Sequence, residues 1–176
     1  MVLGAISALQ TIDSIDSIQK QAQIKWVNDI QIEGKKVCGI IAHSKTRDKC
    51  VTMITLGIGL NVEVSPDITP GEFFQETTCL LDFSIDLKIC TLSIVFERLI
   101  YFIEQNYQKL FDNQYKNLIK SYRYRSFVVG KNVQIISETT HKIIAEGKVL
   151  EINDDLSLLI ENSFKPIRNG RLVIIE

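Results

Sequence analysis

Four residues near the start of the chain have the types and spacing to handle anions: Lys25, Asn28 and Asp29, followed by Lys36. They fall on two consecutive short hairpins, made by the extended runs Ile24–Trp26 and Ile30–Ile32 and, after the turn at Glu33-Gly34, a third run over Lys36–Ser44. Two ammonium groups, an amide and a carboxylate fixed on strands can neutralise and orient a phosphate–carboxylate pair. Those two anions repel in water, and a positioned cation offsets the repulsion as the transition state forms. A carboxylate such as Asp29 can also hold Mg²⁺ against phosphate oxygens. The same residues equally read as a plain Asn28-Asp29 turn flanked by solvent-facing lysines.

A second segment, Gly57-Ile58-Gly59-Leu60-Asn61-Val62, ends a nearly continuous apolar strand over Cys50–Leu60. Glycines there admit a ligand or a second backbone, or mark a bulge. With no third glycine and no following helix, the segment is a weak dinucleotide signature. Thr77-Thr78-Cys79-Leu80 is a third polar–apolar cluster. The lone Trp26 reads as core, and His43 and His141 have no partner in sequence.

The elements that must position these residues follow from periodicity. Val2, Ala5, Ile6, Leu9 and Ile12 keep helical spacing from almost the first residue. This start, without a polar lead-in, suggests a chain that begins inside a larger domain. The continuity of Cys50–Leu60 predicts a central strand covered on both faces, with Lys45–Lys49 as a charged loop tip before it. Pro66, Pro70 and Gly71 mark an irregular loop. Leu92, Val95, Phe96, Leu99, Phe102, Ile103 and Leu110 predict an amphipathic helix from about Cys90 to Phe111, and a shorter helix covers Gln114–Tyr124. The cations Lys116, Lys120, Arg123, Arg125 and Lys131 read as a solvated face suited to a helix C-terminus, or else as a basic docking patch. Beyond Ser126 five short strands are expected: Val128–Val129, Val133–Ile136, Ile143–Leu150, Ser157–Ile160 and Leu172–Ile175. They would form a small β-barrel or sandwich, which puts a domain boundary between residues 125 and 126.

Composition excludes several classes. With 45% hydrophobic and 23% charged residues, 9 Gly and 3 Pro, the chain is an ordinary globular sequence rather than a disordered or low-complexity one. Twenty basic against 21 acidic residues, balanced on both sides of the boundary, give no electrostatic footprint for nucleic acid. No apolar run approaches the ~20 residues that span a bilayer. Cys38, Cys50, Cys79 and Cys90 form no C-x-x-C pair, and with only two histidines, far apart, the sequence offers no zinc-ligand spacing. A reducing, cytoplasmic setting is the expectation.

Taken in order, Lys-Trp-x-Asn-Asp-Ile, then Gly-Lys-Lys-Val-x-Gly-Ile, then Gly-Ile-Gly-Leu-Asn-Val resembles the biotin–protein ligase family over nearly the whole chain, and Thr77–Leu80 looks like its eukaryotic branch. The resemblance implies an α+β fold: a mainly antiparallel sheet with packed helices, part of a class II synthetase-like biotin–lipoate ligase domain (1–125), then an SH3-like β-barrel (126–176). It implies ATP- and Mg²⁺-dependent conversion of biotin to biotinyl-adenylate, and transfer to a lysine of the biotin carrier domain of a carboxylase. By motif match Lys36 lies near the biotin carboxylate and α-phosphate. Asn28 and Asp29 lie in the nucleotide–metal region, with Asp29 the possible Mg²⁺ ligand, and Lys25 and Trp26 support the site. Gly39, Gly57, Gly59 and Asn61 belong to the substrate- and ATP-binding set, Asn61 near the adenine.

Two departures stand out. Val27 replaces the family's proline, which should loosen the turn, since proline presets the backbone angle. No arginine precedes Arg47, so the family's Gly-Arg-Gly-Arg-type biotin loop is not in this sequence. The implied chain is therefore the second half of a catalytic domain plus its C-terminal module, weakly active or inactive alone and inclined to self-associate. A lipoate–protein ligase relative and a non-catalytic carrier-binding module are the alternatives.

Overall fold

The computed structural model describes residues 1–15, 18, 21–66, 75–86, 88 and 90–175. The expected loop residues Pro70 and Gly71 lie outside them. The chain divides into two compact units, Met1–Arg125 and Ser126–Glu176.

The first unit opens with α1 (Val2–Asp13). Four antiparallel strands follow: β1 (Gln23–Lys25), β2 (Asp29–Ile32), β3 (Lys35–Arg47) and β4 (Cys50–Leu60), in spatial order β1-β2-β3-β4. A 3₁₀ turn (Leu80–Phe83), α2 (Leu92–Phe111) and α3 (Tyr115–Arg125) complete it. Helix α1 lies against β2, β3 and β4 and also touches α2 and α3. It is therefore buried almost all round, as a helix apolar on every side must be. Its approach to the sheet depends on Gly4: a Cβ there would sit 3.0 Å from Leu56 Cδ1 and 3.1 Å from Ile40 Cγ2.

Polar side chains lock α1 to α2. Buried Asn106 donates to Ser7 Oγ (3.0 Å) and Gln10 Oε1 (2.6 Å), and Ser7 Oγ donates to the Phe102 carbonyl (3.2 Å). Arg98 of α2 donates to the Ser14 carbonyl just past the end of α1. Such a network stabilises only when its buried members are satisfied, and these are.

Three expectations fail here. The apolar run Cys50–Leu60 is not a central strand: β4 is the end of the sheet order, and Val51, Met53 and Ile54 are exposed. Hydrophobic continuity shows that a strand could be covered, but not that this chain does the covering. The cluster Lys45–Lys49 is not a loop, because β3 runs through Arg47 and only Asp48 and Lys49 turn, both at positive φ. Arg125, read as one cation of a solvated face, keeps only 15% of its side chain exposed and clasps Asp13.

The second unit is an antiparallel sheet of β5 (Asn132–Ile136), β6 (Ile143–Ile152), β7 (Leu158–Ile160) and β8 (Arg171–Ile174), ordered β7-β6-β5-β8. Val128–Val129 is not a strand; instead buried Val128 precedes a turn in which Gly130 donates to Val149 O (2.8 Å) and Val149 to Lys131 O (2.9 Å). Among the described residues no ladder joins β7 to β8, so the sheet is open. No helix of the described residues is long and apolar enough to cross a membrane.

Candidate active site

The short β1–β2 hairpin pairs Lys25 with Asp29 across the three-residue turn Trp26-Val27-Asn28. This turn is held at its middle and at its far end. Asn28 Nδ2 donates to Ile40 O (3.0 Å) and Ile40 N to Asn28 O (2.9 Å), fixing it to β3. The Tyr122 hydroxyl of α3 donates to Val27 O (2.7 Å). The Trp26–Val27 peptide is cis. Valine in place of proline thus leaves a turn secured by tertiary bonds rather than a loose one.

Asp29 follows the turn as the first residue of β2, opposite Gly39 of β3. Its Oδ1 lies 2.6 Å from Lys36 Nζ, with the two side chains 17% and 33% exposed. Gly39 gives that pair its room. A Cβ at Gly39 would lie 3.2 Å from Lys36 Cε, 3.3 Å from Lys36 Nζ and 3.7 Å from Asp29 Oδ1.

The main chain of Lys36 is braced from the far side. Its N–H donates to Glu76 O (2.8 Å), and its carbonyl accepts from Thr78 N (2.9 Å). Asn61 N donates to Val37 O (2.9 Å), Leu80 N to Asn61 O (3.0 Å), and Asn61 Nδ2 to Thr78 O (2.9 Å). Thr78 Oγ1 and Cys79 N both reach Asp82 Oδ2, at 2.7 and 3.2 Å; with the Thr78 bond as the larger cause, these hold the Asp82 carboxyl below its ordinary range. The three segments singled out in sequence therefore meet at one place.

Between them lies a cleft of about 240 Å³ lined by Lys36, Cys38, Gly39, Gly59, Asn61, Pro66 and Thr77. Gly59 faces Gly39 directly, and added Cβ atoms at Gly57 and Gly59 would meet only backbone carbonyls, at 3.9 and 3.8 Å. The chain's own packing does not demand those two glycines, so the floor is open to a ligand. Gly57 itself pairs with Ile41, further along the hairpin and outside the cleft.

Not every expected residue presents its side chain to this space. Trp26 is 4% exposed, a core residue under the turn as its solitary occurrence suggested. Asn28 spends its amide on Ile40 O, and neither Lys25 nor Asp29, which stand opposite each other in the hairpin, lines the cleft; Asp29 reaches it only through Lys36. Cys38, Pro66 and Tyr122 were not foreseen. Burial pushes the Cys38 thiol up to about 12 against the nearby Lys36 ammonium, with the Asp29 charge adding to the rise. It is thus a neutral wall rather than a nucleophile. Nothing in the spacing of α3 marks Tyr122, which is 95 residues from the carbonyl it binds.

Comparison with known proteins identifies the frame. Residues 1–61 match the biotin/lipoate A/B protein ligase family. The chain is 29% identical over 160 residues to the bifunctional ligase/repressor BirA of Bacillus spizizenii, covering 91% of this chain and 47% of that protein. The Bacillus subtilis counterpart gives 28% over 162 residues, with 92% and 48% covered.

The chain is similar to biotin–protein ligases.

It spans about half the length of those curated relatives. In fold, the chain is similar to the apo biotin protein ligase of Aquifex aeolicus, with a TM-score of 0.75 at 22% identity over 99% of this chain and 73% of that one. The same Aquifex enzyme has been solved with biotin and ATP, and matches at a TM-score of 0.69.

Proposed function

We propose that the first unit carries the adenylation half of a biotin–protein ligase site, and that Lys36 is its principal cation. The observation that carries this reading is Lys36, which lines the cleft floored by Gly39 and Gly59 and is held 2.6 Å from Asp29 behind it. In the first step a biotin carboxylate oxygen attacks the α-phosphorus of ATP and pyrophosphate leaves. Negative charge builds where carboxylate and phosphate meet, and the Lys36 ammonium is preorganised to receive it. In the second step the amine of a carrier-domain lysine attacks the acyl carbon and AMP leaves. Asn61, braced on Thr78 and Leu80, forms the nucleotide side of the cleft beside Gly59.

When bound, magnesium supplies charge neutralisation on the nucleotide phosphates. Among the described residues no three His, Cys, Asp or Glu side chains cluster. A site of one carboxylate, Asp29, suits an ion that keeps its waters and takes phosphate oxygens as its other ligands.

A cleft of 240 Å³ is smaller than the roughly 300–1,000 Å³ of sites that enclose a small organic ligand. This supports reading the described residues as one wall of a site whose other wall, the arginine loop of the family, is not in this sequence. We read the 126–176 sheet as the SH3-like module of the family, a cytoplasmic setting for the whole, and a carboxylase's carrier domain as the partner.

The test is pyrophosphate release from ATP with biotin or lipoate, for the chain alone and for a chimera that adds the N-terminal remainder of the Bacillus subtilis relative. Biotin-dependent release by the chimera and little by the chain alone is expected. Because the matching family includes lipoate ligases, a lipoate-dependent signal would move the assignment to that branch. Carrier capture with no adenylation in either protein would replace catalysis with binding.

A further inference from the structure

Helix α3 grips the β1–β2 hairpin at both ends, through two side chains one turn apart. Arg125 donates to the carbonyl of Ala22, the residue before β1, from Nη2 (2.6 Å) and Nε (3.2 Å). It also holds Asp13 at 2.5 and 3.0 Å. Tyr122 donates to the carbonyl of Val27, the middle of the turn (2.7 Å). Residues i and i+3 share a helix face, so α3 works as a splint along the hairpin.

Tyr122 has no exposed surface, and water is not at hand to replace it on the Val27 carbonyl. Burial, with the Asp29 charge nearby, raises the phenol above its ordinary range and keeps it a neutral donor at any physiological pH. Asp29 begins two residues after Val27, and its carboxylate is the partner that Lys36 meets.

We infer that Tyr122 is a positioning residue of the site: its hydroxyl fixes the Val27 carbonyl, the turn so fixed aims the Asp29 carboxylate, and the carboxylate places the Lys36 ammonium. The assignment of Lys36 as the cation of adenylation rests on the function proposed above; the chain of contacts from Tyr122 to Lys36 does not.

The experiment reads the contacts without activity. Tyr122→Phe removes one oxygen from a buried ring. Competitive acylation with a trace of reactive ester, followed by peptide mass spectrometry, gives the labelling of Lys36 relative to Lys35, whose Nζ lies 3.5 Å from Glu76 Oε2 at the surface and away from the turn. The Lys36-to-Lys35 ratio should rise about threefold or more at an unchanged melting temperature, and the Ile40 amide, bonded to Asn28 O, should exchange about tenfold faster. Where adenylation is measurable, kcat should fall with little change in the KM for biotin.

An unchanged ratio in a folded variant overturns the inference and leaves the proposed function standing. A raised ratio with adenylation unaffected upholds the positioning and instead removes Lys36 from the reaction. If Tyr122→Phe does not fold, 3-fluorotyrosine placed at 122 keeps the ring and strengthens the donor. The ratio must then fall below wild type, and no fall overturns the inference.

Discussion

The long β3–β4 hairpin has two ends built from similar residues and used differently. At the proximal end Val37, Cys38 and Ile40 are buried, Lys36 is paired with Asp29, and Asn61 and Thr78 close the frame. At the distal end Val51, Met53 and Ile54 stand exposed on a strand whose outer edge has no partner strand among the described residues. Ile40 and Ile41 show the divide within one dipeptide: Ile40 is fully buried under α1, whereas Ile41, pointing to the opposite face, is 56% exposed. The backbone ladder runs unbroken between the two ends apart from a shift at Lys45/Thr46. What differs is tertiary cover, and the Lys36–Asp29 pair sits at the covered end.

Removing the cation at the proximal end should have the largest effect. Lys36→Ala is expected to lower biotin-dependent pyrophosphate release about 10²- to 10³-fold in the chimera, as the loss of one preorganised stabiliser does. A rate near wild type would transfer the role to another residue.

Stability should divide along the same line. Ile40→Ala should cost about 2–5 kcal/mol in urea denaturation, a typical cost for truncating a buried isoleucine. Ile54→Ala, at 69% exposure, should stay within about 0.5 kcal/mol. Equal costs at the two positions would mean that the distal end is covered in solution.

The glycines offer a finer contrast. A methyl at Gly39 presses on the flexible end of Lys36, so Gly39→Ala should displace the ammonium and cost about tenfold in adenylation while stability barely changes. Gly59→Ala meets nothing nearer than 3.8 Å and should leave stability alike. If biotin or nucleotide binding nevertheless weakens in Gly59→Ala, as isothermal titration would read, a ligand lies on that floor.

A change in stability again under about 0.5 kcal/mol is expected from Ile54→Lys at the distal end. A charge on an exposed apolar edge discourages strand pairing between molecules. Light scattering of the concentrated protein should fall, and scattering that does not change would show the edge plays no part in association.

Much of the site was legible in the sequence because hairpins are local. Lys25, Asn28, Asp29 and Lys36 lie within twelve positions, and the short runs around Glu33-Gly34 leave few ways to fold them. Helices α2 and α3 were legible for a related reason, since a 3.6-residue period is written into consecutive side chains. The barrel expected after residue 126 was only partly legible: β5, β6, β7 and β8 are present, but Val128–Val129 is spent on a turn and the sheet is open among the described residues. The Thr77–Leu80 cluster announced itself by composition, yet its work is to brace Lys36 and Asn61 through main-chain bonds, which composition does not encode.

By itself the sequence determined where this chain extends, coils and turns, and which short motif holds a cation next to a carboxylate. The tertiary structure decided the rest. It brought Tyr122 to the Val27 carbonyl and Arg125 to Ala22, it turned Asn28 and Trp26 inward, and it left β4 at the edge of the sheet. The physical reason is common to all of these. Hydrophobic and hydrogen-bonding potential are properties of residues, but satisfaction is a property of neighbours, and neighbours 95 residues apart are chosen only when the chain packs.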